Sequence, residues 1–486
     1  MNDSRKQVLT ILHTNDIHSH FEKMGSIAAM INEAKGQSSS GEEVLVLDIG
    51  DHMDRMAVET EGSMGGANID IINMTGYDAI TIGNNEGLTF TVDILDQAYA
   101  GILCPVVCGN LLLKSTGKPP VWMEPYHIIN KGGIRIGLLG ATAPFNAFYE
   151  LLGLEALDPI ETLRSQAAKI RDQVDIVIVL SHLGIMMDER IAEIIEGIDV
   201  ILGGHTHHVL KEPLMINGTV VCGAGKYGQY LGKVTLERNP LQERFSLVSG
   251  GCYPVNEMLL DENVTAAILA HREQAETRLS RTVAITDREL PISWEEESPF
   301  GNVFAQAVRR FTEAELSVVN AGQLLGALPA GNITEGMLHF LCPSPINACT
   351  IQLKGSDLRR ALEQSLLPEY RELVFKGFGF RGYQMGSLCL DGAEVFYDDS
   401  LPPYNKITEI RVQGNTLSDD QFYRVGTLDM FTFNIGYESL SLGSDLSYRL
   451  PEFIRDLIGM ELQRPQSLEE SSLRRWHSNL SQQRNY

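Results

Sequence analysis

The chain has 486 residues, which is too long for one ordinary hydrophobic core and predicts two or three domains. Its 63 acidic side chains outnumber 39 lysines and arginines, giving a formal charge of −24 that argues against binding a nucleic acid polymer, because such binding needs a basic face. The seven cysteines form no CxxC pair, and no apolar run approaches the roughly 20 residues of a membrane span. The N-terminus has no apolar leader stretch. We therefore expect a reduced, cytoplasmic protein that does not enter a membrane.

In the first half of the chain, five short apolar runs are each followed by side chains that can bind a hard metal ion. The runs are residues 9–12 before Asp16 and His18, 44–47 before Asp51, 79–82 before Asn84, 176–180 before His182, and 200–202 before His205 and His207. Such runs are typical of buried strands, and side chains just beyond the carboxyl ends of neighbouring strands meet in one crevice. Two carboxylates, one amide and four imidazoles suit two divalent cations that share a bridging aspartate. The pattern predicts a dinuclear metal hydrolase.

Helical stretches separate the strands of this first half, as in a layered α/β domain. Helices are predicted at 24–35, after residue 66, at 160–171 and at 188–196, with further strands at 105–113, 134–141, 219–222 and 228–237. Residues 261–281 have helical spacing and predict a connector. The predicted domains are therefore 1–258 for metal binding, 259–288 as a connecting helix or linker, and 289–486 as a second domain.

Beyond residue 291 the composition shifts toward glycine, phenylalanine and tyrosine, which indicates a mixed α+β domain. Its predicted helices are 302–311 and 356–366, and its predicted strands are 316–319, 348–353, 393–397, 407–412 and 421–428. Residues 463–486 are polar and predict a surface helix followed by a frayed tail.

The metal-binding motifs resemble those of the calcineurin-like metallophosphoesterases. Residues 12–18, Leu-His-Thr-Asn-Asp-Ile-His, resemble the 5′-nucleotidase branch of that family, and residues 351–358, Ile-Gln-Leu-Lys-Gly-Ser-Asp-Leu, are similar to the signature of its C-terminal domain. Residues 297–302 and 319–322 fit the same domain. The resemblance implies an N-terminal four-layer α/β/β/α sandwich and a C-terminal α+β domain that binds the substrate.

The resemblance also implies a division of the ligands between two metal ions. Asp16, His18, Asp51 and His207 would bind the first ion, and Asp51, Asn84, His182 and His205 the second, with Asp51 bridging. The ions would be manganese, zinc or iron. The implied reaction is in-line attack of an activated water on a small-molecule phosphoester, with a nucleotide as the leading substrate, by a monomer or homodimer. The alternatives are a phosphodiesterase acting on cyclic nucleotides or dinucleotides, and a nucleotide-binding or regulatory protein with little turnover.

One departure from the family concerns proton transfer. Family members read Gly-Asn-His-Glu with an aspartate shortly after, and that His–Asp pair contacts the phosphate and is thought to protonate the leaving group; here Asn85 and Leu88 occupy these positions. An amide can donate a hydrogen bond to phosphate but cannot act as a general acid, a loss of about 10²–10⁴ in rate. We predict that His52 or Arg55 faces the phosphate instead. The alternative for Arg55 is a surface ion pair with Glu59 or Glu61.

A second departure concerns the substrate. Family members hold it with arginines and stack the base between two phenylalanines. Asn320 and Gly322 match the Asn-x-Gly element here, but Leu325 stands where an arginine is expected. The remaining candidates for substrate binding are Phe378, Phe380, Arg381, Phe431 and Phe433. Core packing is the alternative reading for each phenylalanine.

Overall fold

The computed structural model describes residues 7–38, 41–239 and 244–479, and the chain divides into two compact units between Glu276 and Thr277. This division falls inside the segment 259–288 that the sequence predicts as a connector. None of the helices in the described ranges is both long and apolar enough to span a bilayer.

The first unit, residues 1–276, is built mainly from parallel strands with intervening helices. Its strands are β1 (Val8–Thr14), β2 (Glu42–Asp48), β3 (Ala79–Ile80), β4 (Val106–Val107), β5 (Leu111–Leu113), β6 (Met123–Glu124), β7 (Tyr126–Lys131), β8 (Ile134–Thr142), β9 (Leu154–Ala156), β10 (Ile176–His182), β11 (Val200–Gly203), β12 (Leu214–Ile216), β13 (Thr219–Gly223), β14 (Tyr230–Asn239) and β15 (Arg244–Pro254). Its helices are α1 (Met24–Gln37), α2 (Val58–Ser63), α3 (Gly66–Thr75), α4 (Asn84–Thr89), α5 (Val92–Tyr99), α6 (Asn146–Tyr149), α7 (Pro159–Ile170), α8 (Ile185–Ile194) and α9 (Glu262–Arg278), the last of which runs across the division.

Two large sheets form the centre of this unit, in the orders β15-β14-β1-β2-β3-β4-β6 and β12-β13-β11-β10-β8-β7. Leu9 and Ile11 of β1 share one core with Ile176 and Ile178 of β10, whereas Leu12 belongs to a second core that also contains residues of α1 and α3. This alternation with period two lets each sheet bury both faces. A third core lies between the second sheet and the helices α7 and α8. The four-layer α/β/β/α architecture predicted from the resemblance is confirmed.

The second unit is a mixed α+β domain, as predicted. Its strands are β16 (Thr282–Thr286), β17 (Leu316–Asn320), β18 (Gly331–Thr334), β19 (Asn347–Lys354), β20 (Leu388–Asp391), β21 (Ala393–Tyr397), β22 (Ile407–Val412), β23 (Asn415–Thr416), β24 (Phe422–Leu428), β25 (Ser444–Phe453) and β26 (Trp476–Ser478). Its helices are α10 (Pro299–Thr312), α11 (Glu335–Leu341), α12 (Gly355–Ser365), α13 (Pro368–Arg371), α14 (Ile454–Leu462) and α15 (Ser467–Glu470). The larger sheets have the orders β20-β17-β24-β19-β25 and β23-β22-β21-β26 and share one core with α10, α12 and α14.

Two predictions of secondary structure were wrong. The single strand expected at 105–113 is two short strands, β4 and β5, in different sheets. The surface helix expected after residue 463 is only the short α15, and β26, which follows it, pairs with β21. The indole of Trp476 in β26 is buried and donates to the carbonyl of Leu388, so that this segment is held against the domain. The predicted tail from residue 480 onward lies outside the described residues.

Candidate metal centre

Asp16 and Asp51 are brought together because β1 and β2 are parallel neighbours whose following loops hydrogen bond to each other. The backbone N–H of Asp16 donates to the carbonyl of Gly50 at 3.0 Å, and that of His18 donates to the carbonyl of Asp51 at 2.8 Å. Gly50 has φ +87°, and a Cβ there would lie 2.3 Å from the backbone nitrogen of Gly83. The close approach of the loops after β2 and β3 therefore requires glycine at this position.

The Asp16 carboxylate is fully buried and held on several sides. It accepts hydrogen bonds from the backbone N–H of His205 at 3.0 and 3.1 Å and from the Asn15 amide at 2.7 Å. Its Oδ1 lies 3.3 Å from Nε2 of His207 and 3.8 Å from Nε2 of His18. Asp16, His18 and His207 thus present ligand atoms to one point.

The Asp51 carboxylate organises a second cluster beside the first. Its Oδ1 accepts from the backbone N–H of Asn85 at 2.7 Å, while its Oδ2 lies 3.3 Å from Nε2 of His182 and 3.7 Å from Nε2 of His18. The His182 ring is oriented by a 2.8 Å hydrogen bond from Nδ1 to the carbonyl of Ile49. Asp51 therefore faces ligand atoms of both clusters, and so does Asp16, whose Oδ1 lies 3.9 Å from Nε2 of His182.

The remaining two predicted ligands, Asn84 and His205, form a pair of their own. Nδ1 of His205 lies 2.7 Å from Oδ1 of Asn84, and the His205 ring centroid is 5.4 Å from that of His182. All seven predicted ligand residues are thus brought to one place. The donor atoms fit divalent cations, because Nε2 of His18 and Nε2 of His182 are buried without a hydrogen-bond partner and face carboxylate oxygens.

Electrostatics couple these carboxylates and imidazoles tightly. Burial alone would lower the pKa of His182, but Asp51 and Asp16 outweigh it and raise that pKa to about 10. Burial likewise opposes the charged form of His18, yet Asp54, Asp51 and Asp16 raise its pKa. Burial alone would raise the pKa of Asp16 and Asp51, whereas His182 and the other imidazoles lower both. The site concentrates negative charge that either protons or cations can neutralise.

The predicted catalytic residues His52 and Arg55 both contact other protein groups in this structure, and their catalytic role stays a prediction. His52 is buried, its Nδ1 lies 3.2 Å from the Asn68 amide, and burial lowers its pKa to about 3, so that it is a neutral interior histidine. Arg55 donates two hydrogen bonds to Glu61, at 2.7 and 3.0 Å, and lies 5.2 Å over the ring of Phe90. The alternative pairing with Glu61 is confirmed, but the pair is buried rather than on the surface.

Asn85 lies at the centre but its amide is engaged by the protein. Nδ2 donates to the carbonyl of Met53 at 3.2 Å and lies 2.9 Å from Nδ1 of His18. The predicted hydrogen bond from this amide to phosphate would require it to leave these contacts.

Sequence reasoning missed several groups around the centre. Glu86 accepts from the backbone N–H groups of Met53 and Gly83 at 2.9 Å each, and burial raises its pKa to about 7. Its place three residues after Gly83, at the start of α4, was the available signal, since a glutamate there can cap the helix. The ring of Tyr227 lies 5.7 Å from that of His18, which no sequence pattern indicated.

In the second unit, the structure sorts the substrate-binding candidates into buried and exposed residues. Asn320 and Phe431 are fully buried, the Asn320 amide donates to the carbonyl of Met385 at 2.7 Å, and a Cβ on Gly322 would overlap the carbonyl of Gln384. These three residues therefore face the interior of the unit in this structure, and their contact with substrate stays a prediction.

The aromatic residues divide in the same way. Phe380 is buried and stacks on Phe375, with ring centroids 4.5 Å apart. Phe378 and Phe433 are 54% and 39% exposed and stack on each other, with centroids 5.4 Å apart. Arg381 donates from its backbone to Ser344 and from its guanidinium to the carbonyl of Phe380. Only Phe378 and Phe433, of the predicted phenylalanines, offer an open aromatic face.

Comparison with known proteins agrees with this architecture. Residues 9–209 match the calcineurin-like phosphoesterase family, and residues 275–437 match the 5′-nucleotidase C-terminal domain. A Bacillus subtilis protein named uncharacterized metallophosphoesterase YunD is 37% identical over 94% of this chain and 99% of its own length, and the Rattus norvegicus 5′-nucleotidase is 24% identical over 83% of this chain and 77% of its own. The structure of Haemophilus influenzae NAD nucleotidase aligns with a TM-score of 0.69 at 17% identity, covering 98% of this chain and all of that one. The chain belongs to the calcineurin-like metallophosphoesterases that carry a 5′-nucleotidase C-terminal domain, a family of metal-dependent phosphoester hydrolases.

Proposed function

We propose that this enzyme binds two divalent cations, of manganese, zinc or iron, through the seven side chains of the candidate metal centre and releases phosphate from nucleotides. The observation that carries the proposal is the convergence of these side chains, with two buried imidazole nitrogens that lack a hydrogen-bond partner. When bound, two such cations polarise water and neutralise the charge that develops on a phosphoryl group.

The role of the chain's own residues is to hold the ligand atoms in place before substrate arrives. Asn15 and the backbone N–H of His205 hold the Asp16 carboxylate, and the carbonyl of Ile49 fixes the His182 ring. Because these two ligands are held by further contacts, little reorganisation of them is needed when charge develops. His207, whose side chain is 31% exposed, lies on the side that solvent and substrate can reach.

The exposed rings of Phe378 and Phe433 support a nucleotide as the substrate. A base that stacks on such a face gains about 1–3 kcal/mol. The name of the rat relative, 5′-nucleotidase, and that of the Haemophilus influenzae protein, NAD nucleotidase, point to the same substrate class. These two rings are therefore the proposed binding face for the base.

A second candidate substrate is a phosphodiester or pyrophosphate, such as a cyclic nucleotide or a dinucleotide. The observation that favours it is that Asn85 occupies the position of the family's general acid, while His52 is neutral and Arg55 is bound to Glu61. The pyrophosphate of a dinucleotide suffers least from this substitution, because its leaving group departs as a stable phosphate anion that needs no proton, whereas a cyclic nucleotide expels a ribose oxygen.

The test is a hydrolysis screen of the purified protein against Mn²⁺, Zn²⁺ and Fe²⁺, with AMP, NAD, p-nitrophenyl phosphate and bis-p-nitrophenyl phosphate as substrates. Asp51→Asn is the negative control, and Asp78→Asn is its match, because Asp78 belongs to the same unit and pairs with Lys131. Release of phosphate from AMP supports the nucleotidase. Faster cleavage of NAD and of bis-p-nitrophenyl phosphate supports the alternative. Tight nucleotide binding without turnover of any substrate would support a regulatory protein instead.

We further propose that the protein works in the cytoplasm as a monomer or homodimer on small molecules. All seven cysteines are free, which supports a reducing compartment. Thiol titration of the protein taken directly from cells would show seven reactive groups after denaturation.

A further inference from the structure

The two ring nitrogens of His18 have different surroundings. Nε2 faces the carboxylates of Asp16 and Asp51, at 3.8 and 3.7 Å, and is the atom that would bind a cation. Nδ1 faces the Asn85 amide nitrogen at 2.9 Å and Oδ2 of Asp54 at 3.6 Å. An imidazole that binds a cation through Nε2 carries its proton on Nδ1, so that Nδ1 must donate a hydrogen bond.

The amide of Asn85 is oriented unfavourably for such a bond. Its Nδ2 donates to the carbonyl of Met53, and turning the amide over would place its oxygen against that carbonyl oxygen. Asn85 therefore presents N–H to Nδ1 of His18, which favours the tautomer with its proton on Nε2. That tautomer has no lone pair on Nε2, the ring nitrogen that faces Asp16 and Asp51.

Asp54 supplies the acceptor that the other tautomer needs. Its side chain is 3% exposed, its Oδ1 accepts from the backbone N–H of Met56 at 2.8 Å, and its own backbone N–H donates to the hydroxyl of Ser19 at 2.8 Å. These contacts hold the carboxylate beside the His18 ring. A shift of under 1 Å would bring Oδ2 from 3.6 Å to hydrogen-bond length.

We propose that Asp54 is a positioning residue that accepts a hydrogen bond from Nδ1–H of His18 and thereby selects the tautomer that binds a cation through Nε2. This inference rests on the proposed two-cation function. It separates two neighbours of the His18 ring: Asp54 favours cation binding and the Asn85 side chain opposes it.

The experiment measures cation affinity rather than turnover, by calorimetric titration of the full chain with Mn²⁺ and with Zn²⁺. Asp54→Asn keeps the shape and an oxygen for the N–H of Met56 but removes the charge. We expect one of the two binding events to weaken about 10–100-fold, the usual effect of losing such a partner. Asn85→Ala, which keeps the backbone N–H that donates to Asp51, should not weaken that event. Asp429→Asn, a buried carboxylate of the second unit that accepts from the backbone N–H of Asn347, is the matched control and should leave both events unchanged.

The outcomes separate this inference from the proposed function. Absence of any cation binding by the unsubstituted protein would overturn the proposed function and this inference together. Two binding events that Asp54→Asn leaves unchanged would overturn the role of Asp54 alone. If circular dichroism in chelator shows that the asparagine variant does not fold, Asp54→Ser replaces it, because serine keeps a hydroxyl for the same N–H and carries the same expectation. In the proton NMR spectrum of the zinc-loaded protein, the imidazole N–H resonance of His18 is the one absent from the His18→Gln variant. We expect this resonance to be absent from Asp54→Asn as well.

Discussion

Replacing Arg55 with methionine should destabilise the first unit rather than impair catalysis. Arg55 and Glu61 are 8% and 7% exposed and share two hydrogen bonds, so the substitution would leave the Glu61 carboxylate buried without this guanidinium. Removing one partner of a buried ion pair costs about 3–5 kcal/mol. For a unit of this size that cost corresponds to a fall of about 6–20 °C in the unfolding temperature.

The assay follows unfolding of the first unit by denaturant and by hydrogen exchange in its peptides, with turnover measured in parallel at a temperature where the variant is folded. Arg135→Met is the matched control, because Arg135 lies 3.7 Å from Asp175 and its side chain is 54% exposed; its loss should change stability by less than about 1 kcal/mol. The double substitution of Arg55 and Glu61 by methionine should recover most of the loss. A folded Arg55→Met protein of normal stability that has lost turnover would refute this reasoning and restore a catalytic role for Arg55.

Three further results are expected. Asp51→Asn should abolish tight binding of both cations, measured by elemental analysis after gel filtration, because Asp51 faces ligand atoms of both clusters; retention of two ions per chain would contradict this. Cation affinity should rise with pH through the neutral range, because the pKa of His182 is raised to about 10, so that this imidazole holds a proton that a cation must displace; calorimetry in two buffers should show release of about one proton per chain at pH 7, and an affinity independent of pH would count against it. Phe378→Ala and Phe433→Ala should each raise KM for AMP about 5–150-fold, the equivalent of 1–3 kcal/mol, and leave hydrolysis of p-nitrophenyl phosphate unchanged; equal effects on both substrates would exclude base stacking.

The sequence predicted which side chains meet at the candidate metal centre because their grouping follows from the order and direction of the strands. Asp16, Asp51, Asn84 and His205 each lie within a few residues of a strand's carboxyl end, and His182 is the last residue of β10. Parallel strands bring these ends to one edge, so strand recognition was enough to group the ligands. The four layers followed from the resemblance. The structure agrees with them, because alternate apolar residues of β1 and β2 enter two different cores.

The contacts of the other candidate residues depend on burial, which a local pattern does not reveal. Arg55 and His52 follow a ligand directly, and proximity in sequence suggested contact with phosphate. The chain turns into α2 after Arg55, and Glu61 on that helix binds the guanidinium. Asp54 was overlooked for the same reason, since only the fold places its carboxylate next to Nδ1 of His18.

The aromatic candidates illustrate the same limit. Phe378 and Phe380 are two residues apart in a glycine-rich stretch, and nothing in their composition distinguishes them. Phe378 adopts φ +51° and is exposed, whereas Phe380 packs on Phe375. The backbone conformation of the loop, set by neighbours distant in sequence, decides which ring is open.

The backbone of the metal centre gives an independent reason to regard it as functional. Five of the seven ligand residues, Asp16, His18, Asp51, His205 and His207, adopt positive φ between 47° and 70°. None is glycine, and such conformations cost roughly 1 kcal/mol or more each, so a fold keeps them only where the surrounding structure enforces them. Here the enforcement is visible, because the loops after β1 and β2 bind each other and the backbone of His205 is bound to Asp16. The strain turns ligand side chains from three separate strand ends, those of β1, β2 and β11, into one small volume, and a fold selected for stability alone would have relaxed it. The cost of holding these conformations is therefore evidence that the first unit is shaped around its ligand atoms.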